Sequence, residues 1–268
     1  AEQSDLFQAA FSAHGDVVRP VLAPTTVADT FEVTVNAFNL AERYQTPVLI
    51  LSDQEIAQRK EALDLIDTSK FEIVERKVPT AEELAAKPYA RFALTESGIS
   101  PITHPGLEKG TYLAAGIEHN EKGDPTASGA MHTAMNEKRF RKLEPLKDDP
   151  RLFEVFGDAD ATVAMVSWGS SAGHAREALA LVRAKGKKVK LLVPTLVYPV
   201  AEKVYEAFFQ GVESGLVVEL SHQGQLYRML RMALDVPKSV RSFCRSGANP
   251  FQPAELMARL LEQKGAAS

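Results

Sequence analysis

Hydrophobic and polar positions along this chain fall into three regimes. From Asp29 to Tyr44, apolar residues recur at helical spacing, with Phe31, Val35, Ala37, Phe38, Ala41 and Tyr44 marking one face. Asp29 is placed to cap this helix and Glu32 to answer it three residues later, a carboxylate version of the capping box. Gln45-Thr46-Pro47 stops it, because the residue before a proline is pushed out of the helical region. Val48-Leu49-Ile50-Leu51 then runs continuously apolar into Ser52-Asp53, the pattern of a parallel strand covered on both faces. Such sheets bind ligands beyond the carboxyl ends of their strands, where Ser52 and Asp53 fall. Upstream, Asp5 to Phe11 reads as a short helix, Ser12 to Asp16 as a turn, and Val17 to Ala23 as a strand. Pro20 gives that strand an edge or irregular character. With only 28 residues ahead of Asp29, this zone reads as the tail of a larger domain.

Between Gln54 and about Asp149 apolar periodicity is weak, and charged residues with Gly, Pro, Ser and Thr dominate until a helix begins near Gly129. A connector this long without elements of its own is uncommon in a compact domain. It reads as an arm lying against a partner surface, with Tyr89, Phe92 and Tyr112 supplying packing. Beyond Leu152 strands and helices alternate. Ala161–Trp168, Lys188–Val193 and Leu216–Leu220 are strands. Ala172–Lys185 (ended by Gly186), Val200–Gln210, Gly224–Leu234 and Pro253–Gln263 are helices. Alternation with short connections predicts a small parallel three-layer α/β domain.

Composition narrows the function classes. The 268 residues carry a net charge of −4, so there is no basic footprint for nucleic acid. No apolar run approaches the ~18–20 residues needed to cross a bilayer. The lone Cys244 excludes an internal disulfide and a cysteine-ligated cluster or zinc site within this chain, and a reducing cytoplasm is the expected compartment.

Several residue groups invite chemistry. Gly169-Ser-Ser-Ala-Gly173 has nucleophile-elbow spacing between a strand and a helix, with Glu219 and His222 available downstream as partners for a hydrolase. A plain strand-to-helix turn fits it better, since this strand opens its domain. His119 and Glu121, with His132 further on, are short of a closed metal site and read as a hydrogen-bonded loop. Lys138-Arg139-Phe140-Arg141-Lys142 could suggest anion binding, but on a helix such a cluster reads better as a solvated face or a salt-bridged docking surface. In His14-Gly15-Asp16 a glycine lets backbone approach a ligand, while the imidazole and carboxylate flank it. Cys244 has no evident activating neighbour.

Eight segments taken together resemble one family. They are EQSDLFQAAFSAHGD (2–16), VLAPTTVADTFEVTVNAFNLAERYQTPVLILSD (21–53), RFALTESGISPITHPG (91–106), GIEHNEKG (116–123), MNEKRFRKLE (135–144), WGSSAG (168–173), VELSHQGQLYRMLR (218–231) and NPFQPAEL (249–256). In this order they are similar to the alpha subunit of the 2-oxoacid:ferredoxin oxidoreductases, especially the 2-oxoglutarate type. The resemblance implies an α/β chain of three parts. Residues 1–53 would be the end of a pyrimidine-type thiamine diphosphate domain. Residues 54–151 would be a connecting arm and helix, and 152–268 a domain like the transketolase C-terminal domain.

The family oxidatively decarboxylates a 2-oxoacid to its acyl-CoA and passes electrons to ferredoxin. Thiamine diphosphate acts there as electron sink, while protein groups orient the oxoacid and exclude water. By resemblance, a partner beta subunit holds most of the thiamine diphosphate and Mg²⁺ site and the [4Fe-4S] cluster, with coenzyme A as cosubstrate. The family's Tyr-Pro-Ile-Thr-Pro segment, its activating glutamate and its substrate-gripping arginine would all precede Ala1. This chain alone is therefore expected to be inactive without the N-terminal portion and the beta subunit. His14, Gly15, Asp16 and Arg19 fit the family loop near the substrate pocket. Two stretches depart from the family pattern: Val17-Val18-Arg19-Pro20, where the proline follows the arginine, and Pro194-Thr-Leu-Val-Tyr-Pro199. Pyruvate or branched-chain or aryl 2-oxoacids, and a noncatalytic assembly module, are the alternatives.

Overall fold

The computed structural model describes residues 2–247 and 249–263. A short helix, α1 (Leu6–Phe11), leads into β1 (Val21–Leu22), α2 (Val27–Tyr44), β2 (Leu49–Ile50) and α3 (Gln54–Gln58). A largely irregular stretch carries α4 (Ala81–Ala86), α5 (Gly129–Arg141) and α6 (Glu144–Lys147). Then follow β3 (Phe153–Gly157), β4 (Val163–Ser167), α7 (Ser171–Ala184), β5 (Lys190–Pro194), β6 (Leu196–Tyr198), α8 (Glu202–Phe209), β7 (Ser214–Glu219), α9 (Gln225–Ala233), β8 (Val240–Cys244) and α10 (Pro253–Leu261).

The larger sheet has strand order β3-β5-β4-β7-β8. All neighbours are parallel except β3, which runs antiparallel to β5 at the edge. Alternation along β4 sorts side chains onto two faces, as a strand's period of two requires. Val163 and Met165 join the core under α7 and α10, whereas Ala164 and Val166 join the core under α1, α8 and α9. This is the α/β three-layer arrangement expected of the C-terminal half. Three strands escaped the sequence pattern. β3 and β8 are half-exposed edges with no continuous apolar run, and β6 has only three residues.

β6 matters because it joins the two halves. Thr195, between β5 and β6, donates its N–H to the carbonyl of Leu152 and accepts from the N–H of Ala23, each at 2.8 Å. β6 then pairs antiparallel with β1, which pairs parallel with β2, giving a second sheet of order β2-β1-β6. β1 is therefore central, not at an edge. Pro20 is tolerated because it lies just before the paired residues and needs only its carbonyl, which accepts from the N–H of Leu49 at 2.9 Å. β2 is the edge strand and is half-buried, not covered on both faces as its apolar run suggested.

α2 also differs from its sequence reading. Its cap is Thr26, whose hydroxyl accepts from the N–H of Asp29 at 3.0 Å. The Asp29 carboxylate turns back to accept from the N–H and hydroxyl of Thr25 at 2.6 and 2.9 Å. The buried stripe is Val33, Ala37, Leu40 and Tyr44, not the phenylalanines. Phe31 packs on Phe71 of the arm, and Phe38 is 71% exposed. Bulk misled the helical reading; leucine and alanine at the right spacing carry the contact with β1 and with Leu143, Leu146 and Leu196.

Candidate functional site

After α1 the chain turns through residues 12–16 before entering β1. Arg19 sets this turn. Its Nε donates to the carbonyl of Ala9 at 2.9 Å and its Nη2 to that of Ser12 at 3.3 Å. A cation thus closes the C-terminal end of α1, where carbonyls lack helical partners and the helix dipole is negative. Gly15 adopts φ +72°, and a Cβ built there meets nothing within 4 Å. Glycine is demanded by the backbone, not by crowding. His14 and Asp16 are exposed, and neither makes a hydrogen bond or ion pair to any described residue.

The residues flanking the turn, Phe11 and Val18, line a cavity of about 240 Å³ with Leu143, Tyr198, Val200 and Met229. Phe11 meets Tyr198 edge to face at 5.5 Å. Burial holds the Tyr198 hydroxyl above its usual pKa, and the nearby Arg19 charge works against that rise. At the cavity rim Lys147 bridges Glu144 and Glu202 at 2.8 and 3.1 Å. The result is an imidazole and a carboxylate held outward on a braced stem beside an apolar hollow.

The other sequence candidate lies at the carboxyl ends of β4 and β7, the topological switch point of the larger sheet. It is filled from within. Gln3 Nε2 donates to the carbonyl of Trp168 at 2.6 Å. Gln3 Oε1 accepts from Ser171 Oγ at 2.9 Å and from the N–H of Leu220 at 2.8 Å. Asp53 accepts from the N–H of Ser170 at 3.0 Å and caps α3 through the N–H of Ile56 at 3.2 Å. Gly169, at φ +58°, has no room for a Cβ, which would sit 2.5 Å from Gln3 Nε2. Glu219 is fully buried and accepts from the N–H groups of Leu226 and Tyr227 at 3.0 and 3.1 Å, fixing the start of α9. Burial pushes its carboxyl pKa up, and those hydrogen bonds oppose the push. His222 bonds Ser246 instead, at 3.0 Å. The elbow spacing is a docking turn for the N-terminal segment, and Ser171, Glu219 and His222 form no hydrolase triad.

The histidines of the arm also have other partners. His119 stacks on Phe92 at 3.9 Å, and Glu121 accepts from the N–H of Leu94 at 2.7 Å. His132 bonds Glu118, which also holds Arg139 at 2.7 and 3.1 Å. Among the described residues no group of His, Cys, Asp and Glu converges as a metal-ligand set. The basic run on α5 is not simply a solvated face, since Lys138 is only 7% exposed. Sequence reasoning missed Gln3, because a lone glutamine near a helix start gives no signal. It missed the inward lysines too, although Met135, Lys138 and Lys142 share one helical face at spacings of three and four.

Comparison with known proteins agrees along nearly the whole chain. A family model described as pyruvate flavodoxin/ferredoxin oxidoreductase, thiamine diphosphate-binding, matches residues 1–138. One described as pyruvate:ferredoxin oxidoreductase core domain II matches residues 161–256. The chain is 33% identical over 271 residues to 2-oxoacid:ferredoxin oxidoreductase 2, subunit alpha, of Aeropyrum pernix, covering 97% of this chain and 41% of that one. It is 27% identical over 266 residues to the 2-oxoglutarate synthase subunit KorA of Methanothermobacter marburgensis, covering 98% of this chain and 69% of the relative. Among solved structures, it is similar to a 2-oxoglutarate:ferredoxin oxidoreductase from Magnetococcus marinus with 2-oxoglutarate, coenzyme A and succinyl-CoA bound. The TM-score is 0.89 and the identity 36%, over 98% of this chain and 45% of that one. The chain thus spans less than half the length of the Aeropyrum and Magnetococcus proteins it matches.

Proposed function

The chain belongs to the pyruvate flavodoxin/ferredoxin oxidoreductase family, and from that premise we propose that it is part of the alpha subunit of a thiamine-diphosphate-dependent 2-oxoacid:ferredoxin oxidoreductase. The proposed reaction is oxidative decarboxylation of 2-oxoglutarate to succinyl-CoA, with electrons passed to ferredoxin. The observation that carries the reading is the fold agreement with the Magnetococcus marinus enzyme, TM-score 0.89 over 98% of the chain. The KorA relatives support 2-oxoglutarate over other oxoacids.

Within this reading, residues 1–53 close a pyrimidine-type domain, 54–151 form the arm, and 152–268 form the transketolase C-terminal-like domain. The donors described here do not by themselves make a Mg²⁺-diphosphate site, and no step is assigned to this chain through that group. Its contribution is positional. His14, Gly15 and Asp16 line the oxoacid pocket, and Arg19 holds their turn in register through α1. The opposite wall, the thiamine diphosphate and the [4Fe-4S] cluster belong to a beta subunit and to the rest of the alpha subunit. The lone Cys244 suits a reducing cytoplasm as the compartment in which the complex works. No described helix is long and apolar enough to cross a membrane. The arm carries apolar side chains turned outward, with Leu65 99% exposed and Ile73 and Ile117 also exposed, as a surface laid against a partner requires.

The test is purification of the native assembly containing this chain, followed by coenzyme-A-dependent reduction of a viologen dye. 2-Oxoglutarate, pyruvate and branched-chain oxoacids are offered in turn, and mass spectrometry identifies the accompanying chains. Turnover with 2-oxoglutarate beside an iron–sulfur partner is the expected result. A thiamine-loaded, cluster-containing complex inert toward every oxoacid would overturn the proposal.

A further inference from the structure

Where the arm folds over α5, four cationic side chains from two segments meet. A cavity of about 150 Å³ is lined by Arg91, Lys138, Arg139 and Lys142, together with Gln45, Phe92 and His119. Arg139 is neutralised by the two-pronged contact with Glu118. The other three cations have only neutral partners. Lys138 Nζ donates to Ser100 Oγ at 2.7 Å, Lys142 Nζ to the carbonyl of Gln45 at 3.2 Å, and Arg91 Nη1 makes a long 3.5 Å contact with the carbonyl of Ser100. Among the described residues none of the three forms an ion pair. An ammonium has three donors, and a buried charge is costly unless paired and hydrogen-bonded. Lys142 has a partial explanation, because it closes the C-terminal end of α2 at Gln45. Arg91 lies over the Phe92 ring at 5.2 Å, a weak cation–π contact, and buried Lys138 has no comparable compensation.

We propose that this cavity is a phosphate-binding site, in which Arg91, Lys138 and Lys142 hold a dianionic phosphoryl group. Phosphate matches better than a carboxylate, since a single negative charge leaves the surplus uncompensated. Arginine's planar fork is also suited to phosphate oxygens. The volume falls below the ~300 Å³ at which pockets begin to enclose whole organic ligands. The occupant is therefore inorganic phosphate or the terminal phosphoryl group of a ligand that extends outward. This goes beyond the oxidoreductase reading, which assigns nothing to these residues.

The charge state agrees with the geometry. Burial, then Arg91, then Lys142 and Arg139 hold Lys138 down to about 8, with Glu121 acting in the opposite direction. Burial, then Arg91 and Arg139 hold Lys142 down to about 8. A bound dianion favours the protonated form of both lysines, so phosphate affinity falls as pH rises above about 8.

The experiment is equilibrium binding of radiolabelled inorganic phosphate to the native assembly at constant ionic strength and pH 7, without oxoacid. It compares wild type with Lys138→Met, Lys142→Met, Arg91→Gln and the control Lys203→Gln on α8, a residue that does not line the cavity. The expected result is one phosphate per chain whose affinity drops at least tenfold in the three cavity variants and is unchanged in Lys203→Gln. Arg91 lies in the irregular part of the arm, Lys138 on α5 and Lys142 just beyond its end, so folding failure of one variant leaves the others to decide. Competition by methyl phosphate as strong as by phosphate supports a phosphoryl ester as occupant; weaker competition supports the free ion. Phosphate binding that is absent in wild type, or equal in wild type and all cavity variants, overturns the site whatever the oxidoreductase assay shows.

Discussion

Gln3→Ala is the substitution whose effect the structure defines most closely. The side chain is buried and holds three partners, just after β4, at the start of α7 and just after β7: the carbonyl of Trp168, the hydroxyl of Ser171 and the N–H of Leu220, at 2.6, 2.9 and 2.8 Å. Alanine leaves all three in place and unpaired. A buried polar group left without a partner costs about 1–3 kcal/mol. The Ser171 hydroxyl can turn to a nearby carbonyl, so it counts for little. The Trp168 carbonyl and the Leu220 N–H remain, which puts the expected loss at about 2–6 kcal/mol. Ser171→Ala removes one hydroxyl and one bond, and should cost only about 1 kcal/mol. The assay is native-state hydrogen exchange on the intact assembly, read at the amide of Leu220. Gln3→Ala should lower the opening free energy there by the stated amount, and Ser171→Ala by far less. A Gln3→Ala effect within about 0.5 kcal/mol of zero, or one matched by Ser171→Ala, would refute the view that Gln3 staples the N-terminal segment into the switch-point crevice.

Three further outcomes follow. Gly15→Ala forces a Cβ into a left-handed conformation at a strain of about 1–2 kcal/mol with no steric clash, so kcat/KM for the oxoacid should drop about 5- to 30-fold while the assembly stays intact by gel filtration. Arg19→Gln removes a charged donor from two carbonyls, and should raise exchange across residues 12–16 and lower turnover, with Arg19→Lys recovering only part because it lacks the fork. In the arm, Arg139 first and His132 after it hold the Glu118 carboxyl down to about 2 from its ordinary 4.5. A depressed carboxylate stabilises above its unfolded value, so protection of residues 116–126 should be full above pH 4.5 and disappear as pH falls toward about 2. In Arg139→Gln the folded carboxyl lies closer to its ordinary value, so the pH-dependent loss should be smaller and complete at a higher pH.

The C-terminal layers were legible because their strands are buried runs between amphipathic helices, a pattern that the periods of two and 3.6 make visible. β3 and β8 were not, since edge strands such as Glu154-Val155 and Arg241-Ser242 show polar or exposed side chains in half their positions. β6 is set by what it pairs with, not by its own three residues. Around the candidate site, the turn at His14-Gly15-Asp16 was legible as a glycine turn with flanking polar groups. The long-range parts were not: Arg19 reaching back to Ala9, Gln3 reaching Leu220, Arg91 meeting Lys138. These contacts bring together residues from ten to more than two hundred positions apart, and no local spacing encodes them. The same limit explains α2, where Ala37 and Tyr44 of the expected face are buried but Phe31 and Phe38 are not, and Val33 and Leu40 complete the buried stripe instead.

The most direct test of the account is steady-state kinetics of the native assembly with 2-oxoglutarate and coenzyme A, comparing wild type with Asp16→Asn and His14→Ala. Both side chains are exposed and unpartnered among the described residues, so neither substitution should disturb folding or assembly. If the turn lines the oxoacid pocket, kcat/KM falls at least about tenfold, equivalent to ~1.4 kcal/mol of lost transition-state stabilisation. Unchanged kinetics in both variants, in an assembly that turns over 2-oxoglutarate, would contradict the placement of this chain at the substrate and leave it a scaffold for the catalytic parts of the complex.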